Sequence, residues 1–229
     1  MHRKHILPVI AAMLLGPIVG SASAKLVGHW RMNEGGGTVA YDTSGYGNNG
    51  TLQGNPAWTA GVLGGALQLD GVDDFVLIPH SESLSMDDEI TVSAWTYVER
   101  YDGRNGSNYQ GIIAKSNSPR SYSLYVNSDK VLHFSTAGVG TSSTTTVPLN
   151  EWVHIIAQVV DGGHRYFING KLAGAGGSGV TLPGLSDTAN VVIGKTWETD
   201  REFQGRIDDV RVYNKALDEA GVQESMAAI

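Results

Sequence analysis

Short runs of apolar and β-branched residues, each closed by a turn-forming residue, constrain the fold of this chain most. Residues 66–69 and 75–79 are two such runs, and the turn-prone residues 70–74 separate them. The 30 glycines tolerate the backbone conformations that many tight turns need. Strand-length runs of this kind are typical of all-β sandwiches and barrels, whereas helices need longer periodic segments. The sequence therefore predicts an all-β fold.

Further strands follow from the same criteria. The sequence predicts them at residues 90–98, 112–115, 122–126, 131–135, 153–160, 191–194 and 205–213. The clearest hairpin signal is the pair Asn169-Gly170, which joins residues 165–168 to residues 171–173. Both residues of this pair accept the positive φ that a type I′ turn requires. No alternation of strands with helices is visible, so the pattern indicates an antiparallel rather than an α/β fold.

One short helix is expected near the C-terminus. Asp218 is suited to be its N-cap, and Val222 and Met226 lie one turn apart on an inward face. Three tryptophans lie within or beside apolar strands and are predicted to be core residues: Trp30, Trp95 and Trp152.

The first residues of the chain predict secretion. Residues 2–5 are basic, residues 6–19 are apolar but contain proline and glycine, and residues 22–24 have the small-x-small pattern of a signal peptidase site. The apolar stretch is short for a membrane span, so a cleaved signal peptide over residues 1–24 is favoured over an anchor. We expect residues 25–229 to form one domain without a membrane span, secreted or periplasmic in a bacterium.

The absence of cysteine and the net charge limit what the chain can use and bind. A chain without cysteine has no disulfides, so stability must come from packing of its core. A formal charge of −7 argues against nucleic acid as a ligand, because phosphate-rich partners need basic surfaces. The same acidity is compatible with a divalent cation.

Seven stretches together resemble the laminin G-like, pentraxin-related branch of the concanavalin A-like jelly rolls. The most distinctive are residues 42–50, DTSGYGNNG, and residues 203–214, FQGRIDDVRVYN. The others are residues 28–35, 67–76, 90–95, 151–154 and 166–170. They follow one another in the family's order over nearly the whole chain after residue 24. The resemblance implies two curved antiparallel sheets packed as a jelly-roll sandwich, and a family whose members mostly bind glycans or proteins without catalysis.

A calcium site is the first functional prediction. The loop at residues 42–50 offers an acid, amides and glycine hinges, and calcium takes six to eight oxygen ligands. The resemblance implies that this loop lies beside the first and last strands. We therefore predict a structural calcium ion held by these side chains: Glu34, Asp42, Asn48, Asp208 and Asp209. Asp208 and Asp209 are consecutive, so only one of them would face the ion on a regular strand. The alternative is that Asp42 caps a turn.

A sugar-binding surface is the second functional prediction. Sugars stack their C–H faces on aromatic rings and accept hydrogen bonds from polar side chains, so aromatic residues in polar loops are the signal. The loops at residues 101–110 and 197–202 have this character. The predicted ligand residues are Tyr101, Arg104, Asn105, Tyr109, Trp197 and Arg201. The alternative is that these rings fold down over the edge of the core.

Catalysis is the less favoured reading of the same fold. A retaining glycosidase needs two carboxylates about 5 Å apart, and the alternating acidic strand typical of jelly-roll glucanases is missing from the sequence. The strand motifs of alginate-type lyases are missing too. A lyase-like group is conceivable at Arg120, Tyr122, Tyr125 and His133, but Tyr122 and Tyr125 have opposite parity on one strand.

The sequence thus favours a secreted lectin-like domain that binds an extracellular polysaccharide or glycoconjugate. The alternatives are an adhesive or structural domain that contacts a surface protein and, less favoured, a polysaccharide lyase or glycoside hydrolase.

Overall fold

The computed structural model describes residues 23–116 and 120–227. Within these ranges, sixteen strands form two antiparallel sheets of eight strands each. Nearly all of the predicted signal peptide lies outside the described residues, and the predictions of its cleavage and of one domain over residues 25–229 stay predictions. No helix in the described ranges has both the length and the hydropathy of a membrane-crossing segment.

The first sheet has the strand order β14-β13-β12-β7-β16-β5-β4, and β1 also pairs with β16. Its strands are β1 (Leu26–Trp30), β4 (Ala57–Ala60), β5 (Gly65–Asp70), β7 (Ile90–Val98), β12 (Trp152–Val160), β13 (Gly163–Ile168), β14 (Lys171–Gly176) and β16 (Gln204–Tyr213).

The second sheet has the strand order β11-β10-β9-β8-β15-β6-β3-β2. Its strands are β2 (Val39–Ala40), β3 (Gly50–Gln53), β6 (Phe75–Ile78), β8 (Tyr109–Lys115), β9 (Tyr122–Asn127), β10 (Val131–Thr136), β11 (Val139–Thr146) and β15 (Val191–Ile193). Three 3₁₀ turns, Glu82–Leu84, Arg104–Gly106 and Gly184–Ser186, and one helix, α1 (Glu219–Glu224), complete the elements of the described chain.

The core lies between the two sheets and is built by period-two alternation. In β7, Val92 and Ala94 are fully buried in it, and in β9 so are Tyr122, Leu124 and Val126. Because successive side chains of a strand point to opposite faces, Ser123 and Tyr125 lie on the outer face of the second sheet. The predicted all-β, two-sheet antiparallel jelly-roll sandwich is confirmed.

The predicted hairpin turn and the predicted N-cap of the helix are confirmed as well. Asn169 and Gly170 have φ values of 48° and 72°, as a type I′ turn requires. The Asp218 side chain accepts a hydrogen bond from the Gly221 N–H at 2.9 Å, and Val222 of α1 is fully buried. Met226, predicted one turn further on the same face, lies beyond the end of α1 and is only partly buried.

The prediction for the tryptophans is right for one of three. Trp30 is fully buried in the core. Trp95 and Trp152 are half-buried on the outer face of the first sheet, where Trp95 contacts His154 and Trp152 contacts Tyr97 at ring-centroid distances of 5.2 and 5.7 Å. The core prediction fails for these two because each alternates with an inward-facing neighbour.

Candidate functional site

The two polar loops predicted to bind a ligand meet at Gly111 of β8. The Gly111 N–H donates to the Arg201 carbonyl at 2.8 Å, and Asn105 Nδ2 donates to Asp200 Oδ1 at 2.8 Å. A Cβ atom on residue 111 would lie 2.4 Å from the Lys195 carbonyl carbon. The missing side chain at Gly111 therefore lets residues 195–202 lie directly on the second sheet.

Three rings lie next to one another on the outer face of this sheet. They come from three neighbouring strands: Tyr109 from β8, Tyr125 from β9 and His133 from β10. The Tyr109 centroid lies 5.4 Å from those of both Tyr125 and His133, and the Tyr125 and His133 centroids are 5.9 Å apart. His133 is held by its Nδ1 atom, 2.9 Å from Ser142 Oγ on β11.

Two arginines and one glutamate surround the rings. The Arg201 guanidinium carbon lies 4.9 Å from the centroid of Tyr109 and 5.4 Å from that of Tyr125, within cation–π distance. Glu198 Oε1 accepts hydrogen bonds from Arg120 Nε at 2.9 Å and from Arg120 Nη2, and it forms an ion pair with Arg201 Nη1 at 3.2 Å. One carboxylate thus holds both guanidiniums beside the aromatic surface.

Burial and these charges set the protonation states of the cluster. Burial raises the pKa of Tyr125, and the Glu198 charge adds to the effect, so the phenol stays protonated. Burial lowers the pKa of His133, helped by Arg120 and Arg201, so the imidazole is neutral at pH 7. Burial alone would raise the pKa of Glu198, but hydrogen bonding to Thr196 and Arg120 and the Arg201 charge outweigh it and lower that pKa.

The cluster encloses a small polar cavity of about 140 Å³. Its lining residues are Tyr109, Arg120, Tyr125, His133, Ser135 and Arg201. Aromatic rings combined with charged hydrogen-bond donors are suited to a polar ligand that also has an apolar face. A second cavity of about 460 Å³ is lined by Ser116, Thr188, Ala189, Asn190 and Trp197. Because Trp197 and Glu198 are consecutive, one short segment contributes to both places.

A laminin G family model, described as the concanavalin A-like lectin/glucanases superfamily, matches residues 70–223. The chain belongs to this superfamily. The matched range covers most of the strands and the whole cavity, including its arginines and rings.

Similar proteins share the fold of this superfamily domain at low sequence identity. Domain 4 of AbnA, an extracellular GH43 arabinanase from Geobacillus stearothermophilus solved in complex with arabinotriose, is 20% identical with a TM-score of 0.72, over 90% of this chain and 100% of that one. A structure of botulinum neurotoxin type C, a toxin whose cell entry depends on interaction with two ganglioside molecules, is 18% identical with a TM-score of 0.67, over 87% of this chain and 50% of that one. At these identities the likeness concerns the fold.

One curated relative is an adhesion receptor. Adhesion G-protein coupled receptor V1 of Danio rerio is 25% identical over 126 residues, which are 52% of this chain and 2% of the receptor. The chain therefore matches a small part of that relative's length.

The structure brings some of the predicted ligand residues of this superfamily domain together. Tyr109 and Arg201 line the small cavity, and Trp197, 38% exposed, lines the neighbouring one. Arg120, Tyr125 and His133 stand beside them, although the sequence grouped these three only under a lyase. Tyr122 is not among them, because it faces the core.

Other predicted ligand residues lie outside the cavity. The Tyr101 ring packs against the core and its hydroxyl donates to the Val147 carbonyl at 2.7 Å, so it does not present a free face. Arg104 Nη1 donates to the Val72 carbonyl at 3.4 Å, and Asn105 holds Asp200. These three residues shape the loop rather than line the cavity.

The sequence missed Glu198 and Ser135 as site residues. Glu198 lies within the loop that the sequence selected, and its i,i+3 spacing to Arg201 was the available signal. Ser135, which accepts from Arg120 Nη1 at 3.2 Å, is an ordinary strand residue that only the tertiary structure places here.

Asp42 caps its loop in place of holding a metal. Its two carboxylate oxygens accept from the His29, Ser44 and Asn48 N–H groups and from Ser44 Oγ at 2.8–2.9 Å. Asn48 is turned inward, where its Nδ2 donates to the Val27 carbonyl at 2.8 Å. The turn-capping alternative accounts for these contacts, because donors of the same loop hold Asp42 and the interior holds the Asn48 amide.

The remaining predicted metal ligands point to different partners. Glu34 Oε1 accepts from the Tyr41 N–H at 2.9 Å, and Asp208 Oδ2 accepts from the N–H groups of residues 62 and 63. Asp209, at φ 49° in a bulge of β16, pairs with His29 Nε2 and Arg211 Nη2, each at 2.7 Å. In the described ranges no three of the predicted carboxylates share ligand distance. As a calcium site, this set does not fit.

An acidic group with ligand spacing lies in a different turn. Oxygens of Asp70, Asp73 and Asp74 lie within 4.8 Å of one another. Asp70 Oδ1 accepts from the N–H groups of residues 72 and 73, and Asp74 accepts from those of residues 55 and 70. These bonds are those of a capped turn, as the sequence predicts for this segment.

Proposed function

We propose that this domain is a secreted lectin-like module that binds an extracellular glycan in the cavity formed by Tyr109, Tyr125, His133, Arg120 and Arg201. The observation that carries the proposal is the stacking of Arg201 over two tyrosine rings at the rim of a polar cavity. Aromatic faces hold the C–H surface of a sugar, and guanidinium N–H groups donate to its oxygens. The structural neighbours, one solved in complex with arabinotriose and one that interacts with gangliosides, support a sugar as the ligand class.

The proposal includes no metal. In the described ranges, no three of the carboxylates predicted to bind calcium lie at ligand distance from one another, and Asp42 is held by donors of its own loop. The cavity, in turn, has its own fixed charges. We therefore expect glycan retention to be the same in EDTA and in calcium.

Retention on immobilised polysaccharides tests the site. Tyr109→Ala removes one ring of the cavity and should weaken retention of any bound glycan by about tenfold, a typical cost of losing one stacking partner and its neighbouring contacts. Tyr41→Ala is the matched control, because that ring is 55% exposed and lies in the loop between β2 and β3. Equal retention by both variants, with unchanged thermal unfolding, would refute the site.

Binding without catalysis is part of the same proposal. Among the described residues that line the cavity none is a carboxylate, and Glu198, which contacts its two arginines, is paired with both of them. Retaining glycoside hydrolysis uses two carboxylates about 5 Å apart. Incubation with each retained polysaccharide should release no new reducing ends. Release that disappears in a Tyr125→Phe or His133→Ala variant would establish an enzyme instead.

Protein adhesion is the second candidate function, and the adhesion receptor relative favours it. A surface protein would contact a broad area, so Tyr109→Ala should then have little effect on cell-surface attachment. Attachment that persists after enzymatic removal of cell-surface glycans would support this candidate over the first.

Secretion is tested separately from binding. We propose that residues 1–24 are removed during export, and N-terminal sequencing of the exported protein should begin at Lys25. An N-terminus at Met1 would refute export by this signal.

A further inference from the structure

The cavity carries more positive than negative charge. Two guanidiniums, Arg120 and Arg201, are set against one carboxylate, Glu198, so the formal charge of the cluster is positive. His133 adds none, because burial lowers its pKa. The whole chain has the opposite sign, with a formal charge of −7. The net charge of the protein repels an anionic ligand at long range, whereas the cavity attracts a negative group at short range. The cavity therefore favours a ligand with an anionic group that makes direct contact with the arginines.

Glu198 fills the place between the two guanidiniums. Its Oε1 atom accepts from Nε and Nη2 of Arg120 and lies 3.2 Å from Nη1 of Arg201. A ligand anion would therefore be bound at the outer edge of Arg201, where the planar guanidinium can donate two parallel hydrogen bonds to a carboxylate.

Arg201 keeps donors for a ligand. Its one ion pair uses Nη1, and its side chain is 23% exposed. A guanidinium has five N–H donors, so most of those on Arg201 remain available in the described structure. Tyr109 and Tyr125 fix the orientation of the guanidinium plane, so binding of a ligand to its edge costs little further side-chain entropy.

Resting on the proposed function, we infer that the ligand is an acidic saccharide, whose sugar ring stacks on Tyr109 and whose carboxylate is bound by the free edge of Arg201, with Arg120 completing the positive wall. Uronate-containing polysaccharides are the class with this chemistry. Glu198 is then a positioning residue that fixes the orientation of both arginines.

Matched polymers that differ only in the carboxylate test this inference. Polygalacturonate and alginate should be retained at least tenfold more strongly than the methyl ester of the first and the propylene glycol ester of the second, the effect expected for charge-assisted hydrogen bonds. Free galacturonate should release the bound polymer, whereas galactose at the same concentration should not. This competition needs no variant and so does not depend on folding of a mutant.

Arg201→Gln provides the second arm. This variant should retain the acidic polymers and their esters equally, whereas Arg165→Gln should still retain the acidic polymers more strongly. Arg165 is the matched control, because it is also partly exposed and ion-paired, to Asp161, but lies in β13 of the other sheet. A preserved difference in a folded Arg201→Gln protein would overturn the role of Arg201.

Four outcomes would overturn the inference, and the last of them would also refute the proposed function. Equal retention of acid and ester, or of neutral arabinan alone, would keep glycan binding but refute acidic selectivity. Retention of dextran sulfate as strong as that of polygalacturonate would show a response to charge and not to a carboxylate. Retention of no polysaccharide would refute glycan binding itself.

Discussion

Gly111 is the residue on which assembly of the cavity depends most directly. A Cβ atom there would lie 2.4 Å from the Lys195 carbonyl carbon and from Thr196 Cγ2, so the segment that carries Glu198 and Arg201 must move away. We predict that Gly111→Ala lowers the free energy of unfolding by about 1–3 kcal/mol and abolishes glycan retention. Thermal unfolding and retention are the measurements. Gly36→Ala is the control, because a Cβ atom at residue 36 has nothing within 4 Å; equal behaviour of the two variants would contradict the tight approach.

A substitution at Asp42 distinguishes a capping role of this residue from a role as a metal ligand. Its carboxylate serves three backbone N–H groups and one hydroxyl. Asp42→Ala should therefore destabilise the fold by about 2–4 kcal/mol, and by the same amount in calcium and in EDTA. Asp88→Ala should be nearly neutral, because the Asp88 side chain is 78% exposed in a surface ion pair with Lys215. A destabilisation by Asp42→Ala that vanishes in EDTA would restore the predicted calcium site.

His154 and His164 give stability a pH dependence of defined sign. Burial lowers the pKa of each imidazole to about 4, below the usual 6.5. Because the folded state favours the neutral rings, their contribution is complete above pH about 6.5 and is lost as the pH falls toward 4. The melting temperature should fall over that window. His164→Gln, which keeps a polar group between Thr136 and Thr141, should make the fall shallower; an unchanged slope would exclude His164 as a cause.

At the scale of elements, apolar alternation revealed most strands and turn chemistry revealed the hairpin. β11 escaped prediction because residues 139–146 are mostly threonine, serine and glycine, a composition that a partly exposed strand at the end of a sheet tolerates. β2, β3 and β4 escaped because they are two to four residues long and contain no run of apolar β-branched residues. The bulge at Asp209 could not be predicted from an alternating pattern, since it depends on the pairing of β16 with β7.

The hairpin between β13 and β14 allows a test at this scale. Asn169 has a positive φ, and its Oδ1 accepts from the His154 N–H at 2.9 Å, which joins the turn to β12. Asn169→Ala should lower the free energy of unfolding by about 1–2 kcal/mol, because an alanine pays for positive φ and leaves that donor unpaired. Lys171→Ala, at an exposed position of the same hairpin, should have little effect in the same denaturant titration.

At the scale of the whole molecule, the sequence predicted the fold better than the site. The alternation that indicates a strand lies within the strand itself, so strands can be predicted without knowing which strands pair with them. The cavity is not local: Tyr109, Tyr125 and Glu198 are distant in the chain and meet only because β8, β9 and the residues before β16 converge at Gly111. The polar composition of the two loops therefore predicted that they form the cavity and that Tyr109 and Arg201 line it. It also predicted Tyr101 as a ligand residue, but that ring packs against the core.

Chemical-shift mapping of the isotope-labelled protein tests the location of the binding site most directly. An oligosaccharide prepared from a retained polysaccharide should shift the amide signals of residues 109–111, 123–125, 133–135 and 196–202 most. The loop at residues 42–50 and the outer face of the first sheet around Tyr97 and Trp152 should change little. Shifts concentrated at either of those places, with the signals around Tyr109 and Arg201 unmoved, would contradict binding in the cavity.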